Sequence, residues 1–340
     1  MNALMALLIA SLGLGCASAR AAEAGGWKPV VLPQAEQRDI HSHNTGDDYR
    51  IFISQPQQPA PPGGYPVLYV LDGNALFPML AVQANARERR PDPATRASVV
   101  VVGIGYPGGQ LYDIDRRARD YTPPTTVATD EREGLRYGGA DRFLAFVQTE
   151  LKPLIEARYP IHPYRQTLFG HSHGGLLTLY ALMTQPDAFQ NYLAASPSIW
   201  WNDRQLLEQS GPPLSESNLR SKRLWMTVGE YEEPLHGKVA ASERERRLVE
   251  RRMRSNVQEL FERWASLEHR SLKRTFTIHQ GAGHGENSAL TAAYAIDFAL
   301  LAGTPSLGAI SEPRTAAQPT FDHPETPRNA IRPPPARAIR

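Results

Sequence analysis

Thr167-Leu168-Phe169-Gly170-His171-Ser172-His173-Gly174-Gly175, followed by Leu176-Leu177-Thr178-Leu179-Tyr180-Ala181-Leu182-Met183, is the stretch on which the reading of this chain turns. A brief apolar strand runs into G-x-S-x-G and then into an apolar helix, expected over 174–184 and ended by Gln185-Pro186. In that context the pattern marks a sharp strand-to-helix turn that holds its central residue in a strained conformation with the side chain exposed. Side chains two positions either side would clash, so Gly170 and Gly174 are expected to be required. The N–H groups at the start of the helix favour developing negative charge. Ser172 is therefore the candidate nucleophile.

Outward from this turn, strands alternate with helices. Val67-Leu68-Tyr69-Val70-Leu71 and the Val-rich run 98–104 read as strands buried on both faces. Further strands are expected at 49–54, 192–195, 224–228 and 275–279. Helices are expected at 75–89, at 139–159 with a kink at Pro153, at 242–267 and at 288–301. Residues 23–48 read as edge structure or loop, and 105–138 as a long loop. No internal repeat is visible. The pattern predicts an α/β fold with a mainly parallel central sheet flanked by helices.

With 340 residues, 41% apolar and 21% charged, the chain can build a large core. A net charge of +2 argues against a nucleic-acid partner. Residues 1–14 are nearly all apolar and run into small residues, as a signal peptide does, with Ala19-Arg20-Ala21 or Ala17-Ser18-Ala19 as cleavage site. The run is too short to span a bilayer. The domain is thus expected over 22–302, after a signal peptide at 1–21, in a periplasmic or secreted protein. Cys16, the only cysteine, falls in the segment to be removed, so no disulfide is expected. Its alternative role is a lipoprotein acceptor, although the usual Leu three positions before it is missing. The Pro-, Ala- and Arg-rich stretch 303–340 reads as a disordered tail.

A serine nucleophile needs a base, and in this arrangement the order is Ser, acid, His. His284 fits the base, in the Gly-rich loop Gly281-Ala282-Gly283-His284-Gly285-Glu286 after the last strand. The acid should follow strand 224–228, where Gly229-Glu230-Tyr231-Glu232-Glu233 offers three carboxylates. Glu232 is the first choice and Glu230 the second; a Ser–His dyad with a backbone carbonyl is the alternative. The oxyanion donors would be the backbone N–H of His173 and that of Asn74 or Gly73. His171 and His173 read as core histidines, and no metal or organic cofactor is called for.

Besides the elbow, Val67-Leu68-Tyr69-Val70-Leu71-Asp72-Gly73-Asn74, Arg119-Asp120-Tyr121-Thr122-Pro123, Gly139-Ala140-Asp141-Arg142-Phe143-Leu144 and Ala194-Ala195-Ser196-Pro197-Ser198-Ile199-Trp200-Trp201 occur in order. Over 49–301 the chain thereby resembles the esterase family of α/β hydrolases. Within it, the resemblance is to periplasmic siderophore esterases that open enterobactin- and salmochelin-type trilactones. The resemblance implies an α/β-hydrolase fold, Ser172 and His284 in catalysis, and the Asn74 backbone in the oxyanion hole. It also implies Trp200 and Trp201 lining or supporting the pocket. Some members use a Ser–His dyad, so the acid stays open.

Arg116, Arg117 and Arg119, close to Tyr112 and Tyr121, would suit an anionic, aromatic substrate. The competing reading is that Arg119 pairs with Asp120 or another carboxylate to brace the loop. The expected partner is a small-molecule ester, a ferric siderophore by resemblance; the oligomeric state is not readable. The rival readings are a general carboxylesterase, an acyltransferase of the same fold, and a binding protein without chemistry.

Overall fold

The computed structural model describes residues 27–125, 134–208, 222–234, 242–266 and 272–301. The expected signal peptide and tail lie outside them. Eight strands form one sheet: β1 (Ala35–His41), β2 (Asp48–Ser54), β3 (Tyr65–Leu71), β4 (Val100–Gly105), β5 (Ile161–His171), β6 (Asn191–Ala195), β7 (Lys222–Gly229) and β8 (Leu272–His279). Their order is β1-β2-β4-β3-β5-β6-β7-β8. β2 runs antiparallel to both β1 and β4, and every neighbouring pair from β4 through β8 is parallel.

Alternation along β3 divides the core. Val67, Tyr69 and Leu71 pack with α3 (Ala140–Phe146) and α5 (His173–Thr184) on one face. Leu68 and Val70 pack with α1 (Gly73–Glu88) and α9 (His284–Leu300) on the other. The chain winds outward in both directions from β3, which lies between β4 and β5. The loops after β3 and β5 therefore part at the carboxyl edge of the sheet, where ligands of open α/β sheets bind.

The elements depart from the sequence expectation at identifiable points. The polar stretch 23–48 contains β1, an edge strand whose outward side chains need no apolar character. The expected loop 105–138 contains α2 (Ile114–Asp120), capped by the Asp113 carboxylate accepting from Arg116 N at 3.1 Å. The helix expected over 139–159 stays right-handed through a π-helical turn at Val147–Leu151 before α4 (Lys152–Arg158). That wide turn accommodates Pro153, which lacks an N–H. The long charged helix breaks at Arg252, left-handed at φ 45°, into α7 (Glu243–Arg251) and α8 (Met253–Ser266). A short α6 (Trp201–Glu208) has left-handed backbone at Asn202, Asp203 and Arg204. α9 starts at His284, not Ser288.

Under the elbow sits a buried ion pair. Arg117 from α2 donates Nε to Asp72 Oδ1 and Nη2 to Asp72 Oδ2, each at 3.0 Å. Its Nη2 also reaches the His171 carbonyl at 3.3 Å. The guanidinium packs on Tyr112 and Tyr121, 5.7 and 5.6 Å from their ring centres. One side chain thus ties the end of β3, the start of α1 and the end of β5.

Removing one partner of such a pair leaves a buried unpaired charge. Arg117→Ala is therefore expected to cost about 3–5 kcal/mol in urea unfolding, and Asp72→Leu/Arg117→Met considerably less. A stable Arg117→Ala protein with only a raised KM would instead make Arg117 a substrate ligand.

Candidate active site

Ser172 sits at φ 60° and ψ −118° between β5 and α5. Its N–H donates to the Ala195 carbonyl at 2.9 Å, and its carbonyl accepts from Ser198 N at 3.1 Å. The turn leaves almost no room. A Cβ at Gly170 would lie 2.1 Å from Gly174 O, and one at Gly175 2.8 Å from Ala195 O. At Gly174 it would meet side chains rather than backbone, Leu71 at 3.3 Å and Asp72 Oδ2 at 3.7 Å. The second position closed to side chains is therefore Gly175 rather than the expected Gly174.

The three carboxylates after β7 have three different partners. Glu230 accepts from Gly281 N at 2.8 Å and braces the turn before α9. Glu233 accepts from Ser255 N and Oγ at 2.8 and 2.6 Å and holds the first turn of α8. Glu232, fully buried, meets His284 Nδ1 through Oε2 at 2.6 Å. Its other oxygen accepts from Ser196 Oγ and Gly229 N, both at 2.6 Å. The structure thus pairs His284 with Glu232 and places Glu230 elsewhere. An accepting carboxylate fixes the imidazole as the Nδ1–H tautomer and leaves Nε2 unprotonated.

His284 opens α9 with its side chain 45% exposed, whereas Glu232 is 1% exposed. The His284 ring packs on His171, 4.4 Å between ring centres, and the His284 carbonyl accepts from His171 Nε2 at 3.0 Å. His171 adjoins Ser172, so this contact locks the start of α9 to the elbow. The Ser172 hydroxyl is 3.3 Å from that of Ser198, which is buried.

His173 occupies the first turn of α5 and Gly73 and Asn74 the first turn of α1. The leading N–H groups of a helix have no acceptor within it. Asn74 is fixed by its side chain, which accepts from Tyr106 N at 2.8 Å and donates to Tyr106 O at 3.0 Å. A Cβ at Gly105 would fall 2.0 Å from Asn74 Oδ1, so that strand end must be glycine.

The arginines of α2 are committed within the protein. Arg117 holds Asp72. Arg119 bridges Asp120 and Asp47, both at 2.7 Å. Arg116 lies 3.7 Å from both Asp47 and Asp113. The bracing role foreseen for Arg119 is the one observed, and it extends to its neighbours. Trp201 is core, 6.1 Å from the Tyr137 ring centre. Trp200 is half-buried, edge-on to His173 at 6.0 Å, with the Arg251 guanidinium 4.3 Å over its ring. Sequence reading passed over Arg251, whose only signal was its place in a charged helix. Among the described residues no three of His, Cys, Asp and Glu converge as a metal-holding group.

This strand–serine–helix elbow on a mainly parallel sheet, beside a histidine held by a buried glutamate, defines an α/β hydrolase. Comparison with known proteins carries the assignment further. The family described as "Putative esterase" matches residues 42–280, and the chain belongs to this esterase family. The chain is 38% identical to the ferri-bacillibactin esterase BesA of Bacillus subtilis over 284 residues, 82% of this chain and 93% of that protein. The BES protein structure from Bacillus cereus superposes with a TM-score of 0.68 at 32% identity, covering 82% of this chain and 100% of that one. The siderophore hydrolase EstB of Aspergillus nidulans gives 0.66 at 29% identity, covering 80% and 95%.

Burial pushes the His173 imidazole down to about 3, helped by the positive charges of Arg117 and Arg251. Burial also pushes His171 well below its ordinary value, with His284 and Arg117 adding to the effect. Both rings are neutral in the folded protein, while the unfolded chain takes up their protons below about pH 6.5. Their stabilising contribution is complete above that pH and is lost as pH falls toward the folded values. Stability is expected to drop on the order of 1 kcal/mol per pH unit per ring below pH 6.5. His173→Gln should flatten this slope in unfolding titrations between pH 7 and 4.

Proposed function

We propose that this protein is an exported serine esterase that opens the ester bonds of a trilactone catecholate siderophore, using Ser172, His284 and Glu232. The Glu232–His284 hydrogen bond of 2.6 Å beside the strained Ser172 is the observation that carries the chemistry. Ser172 attacks the ester carbonyl while His284 Nε2 takes its proton. Glu232 holds the Nδ1 proton and balances the imidazolium that forms. The N–H groups of His173 and Asn74 receive the oxyanion at the positive ends of α5 and α1. His284 returns its proton to the departing alcohol, and water then releases the acyl group by the same steps in reverse.

The substrate class is supported by the relatives, which are named for ferri-bacillibactin and siderophore hydrolysis. It is also supported by the face that Trp200 and Arg251 offer beside His173. A half-buried indole with a guanidinium stacked on it suits an anionic aromatic ring. The apolar leader 1–14 supports export to the periplasm or beyond. Fractionation of expressing cells tests this, and a protein retained in the cytoplasm would refute it.

Ferric enterobactin and a short-chain nitrophenyl ester are the discriminating substrates. The trilactone should be cleaved efficiently and the simple ester poorly, with Ser172→Ala lowering both by about 10³-fold or more. Efficient cleavage of the simple ester alone would retain the serine hydrolase and discard the siderophore. Glu232→Gln is expected to reduce kcat by about 10²-fold or more, whereas near-normal turnover would leave a Ser–His dyad. Trp200→Ala should raise KM for the trilactone and leave Ser172 labelling by a fluorophosphonate unchanged.

A further inference from the structure

We infer that Asn287, acting through Ser196, is a positioning residue that sets the proton direction at the catalytic carboxylate. The inference rests on the Ser172–His284–Glu232 assignment. Asn287 is fully buried on α9, one turn after His284. Its Nδ2 donates to Ser196 Oγ at 2.7 Å and to Thr227 Oγ1 at 3.1 Å. Its Oδ1 meets His279 Nδ1 at 2.6 Å.

The directions of these bonds follow from what each group can do. Thr291 donates its hydroxyl proton to the Asn287 carbonyl at 2.7 Å, so it can only accept from Thr227, 2.6 Å away. Thr227 thereby spends its own proton and accepts from Asn287. The amide oxygen of Asn287 must then face His279, which donates from Nδ1. With both amide protons directed at hydroxyls, Ser196 also accepts from Asn287. Its single proton is left for Glu232 Oε1, at 2.6 Å.

Glu232 consequently receives donors from Ser196, Gly229 N and His284 and has no acceptor facing it among these partners. A carboxylate placed so is turned toward His284 by the donors on its other oxygen. Ser196 is itself left-handed at φ 43°, and its N–H donates to Thr227 O at 2.8 Å. Ser196 and Ser198 bracket Pro197, so one tripeptide carries a hydroxyl to Glu232 and another to Ser172.

Asn287→Asp keeps the shape and replaces two donors by an acceptor. The Ser196 proton can then turn to residue 287, and Glu232 loses a donor. The test follows the rate at which a fluorophosphonate labels Ser172 in the full-length protein, together with the low-field proton resonance of His284 Nδ1–H. Labelling is expected to slow about 10- to 100-fold in Asn287→Asp and in Ser196→Ala, with that resonance shifted or lost in both. Adding Asn287→Leu to Ser196→Ala should slow labelling no further, because the path to Glu232 is already broken.

Should Asn287→Asp fail to fold, Ser196→Ala alone decides. Labelling at the wild-type rate with an unchanged resonance in a folded variant overturns the inference. A further loss in the Ser196→Ala/Asn287→Leu protein does the same, because Asn287 would then act by another route. A wild-type protein that does not label at Ser172 overturns the underlying assignment as well, and so separates the two failures.

Discussion

The structure is organised around the backbone of Ser172, a non-glycine residue at φ 60° and ψ −118°. A conformation so sparsely populated costs about 1–3 kcal/mol and persists only where the surroundings over-determine it. Here they do. The Ser172 N–H is tied to β6, its carbonyl to Ser198, and close packing at Gly170 and Gly175 leaves no wider path. The Arg117 guanidinium holds the preceding carbonyl and the end of β3 together. The same bonds that enforce the strain bring the segment 196–198 against Ser172 and hand Ser196 to Glu232.

Charge is handled differently on the two sides of this turn. Asp72 and Arg117 neutralise each other in a bidentate pair whose role is architectural. Among the described residues no Lys or Arg pairs with Glu232. It is surrounded by neutral donors and by an imidazole that becomes charged only when it takes a proton. The first arrangement fixes position permanently. In the proposed mechanism, the second reserves its strongest interaction for the moment positive charge develops on His284, which is where electrostatic stabilisation is useful.

Much of the fold was legible in the sequence because it follows from periodicity. Fully apolar runs at β3 and β4 announce strands buried on both faces, and the elbow announces the order in which Ser, acid and His must come. What escaped depends on long-range partners. Nothing local says that Arg117 will find Asp72, or that Arg119 will find Asp47, so a cluster of arginines beside tyrosines resembled a substrate surface. Glu230, Glu232 and Glu233 are equivalent as sequence and are separated only by the turn that aims one of them inward. Asn287 stays hidden because the sequence pattern places the start of α9 at Ser288, four residues late. With His284 as its first residue, Asn287 falls one turn along the same face.

The exposure of His284 has a consequence for the fate of the acyl group. With its side chain 45% open to solvent, His284, the proposed base, can receive water directly from bulk, without a channel or an ordered chain of intermediates. Partition of a covalent intermediate between water and another alcohol follows the local supply of each. An accessible imidazole at the proposed base favours water over a competing alcohol, so hydrolysis rather than exchange is the outcome this exposure promotes.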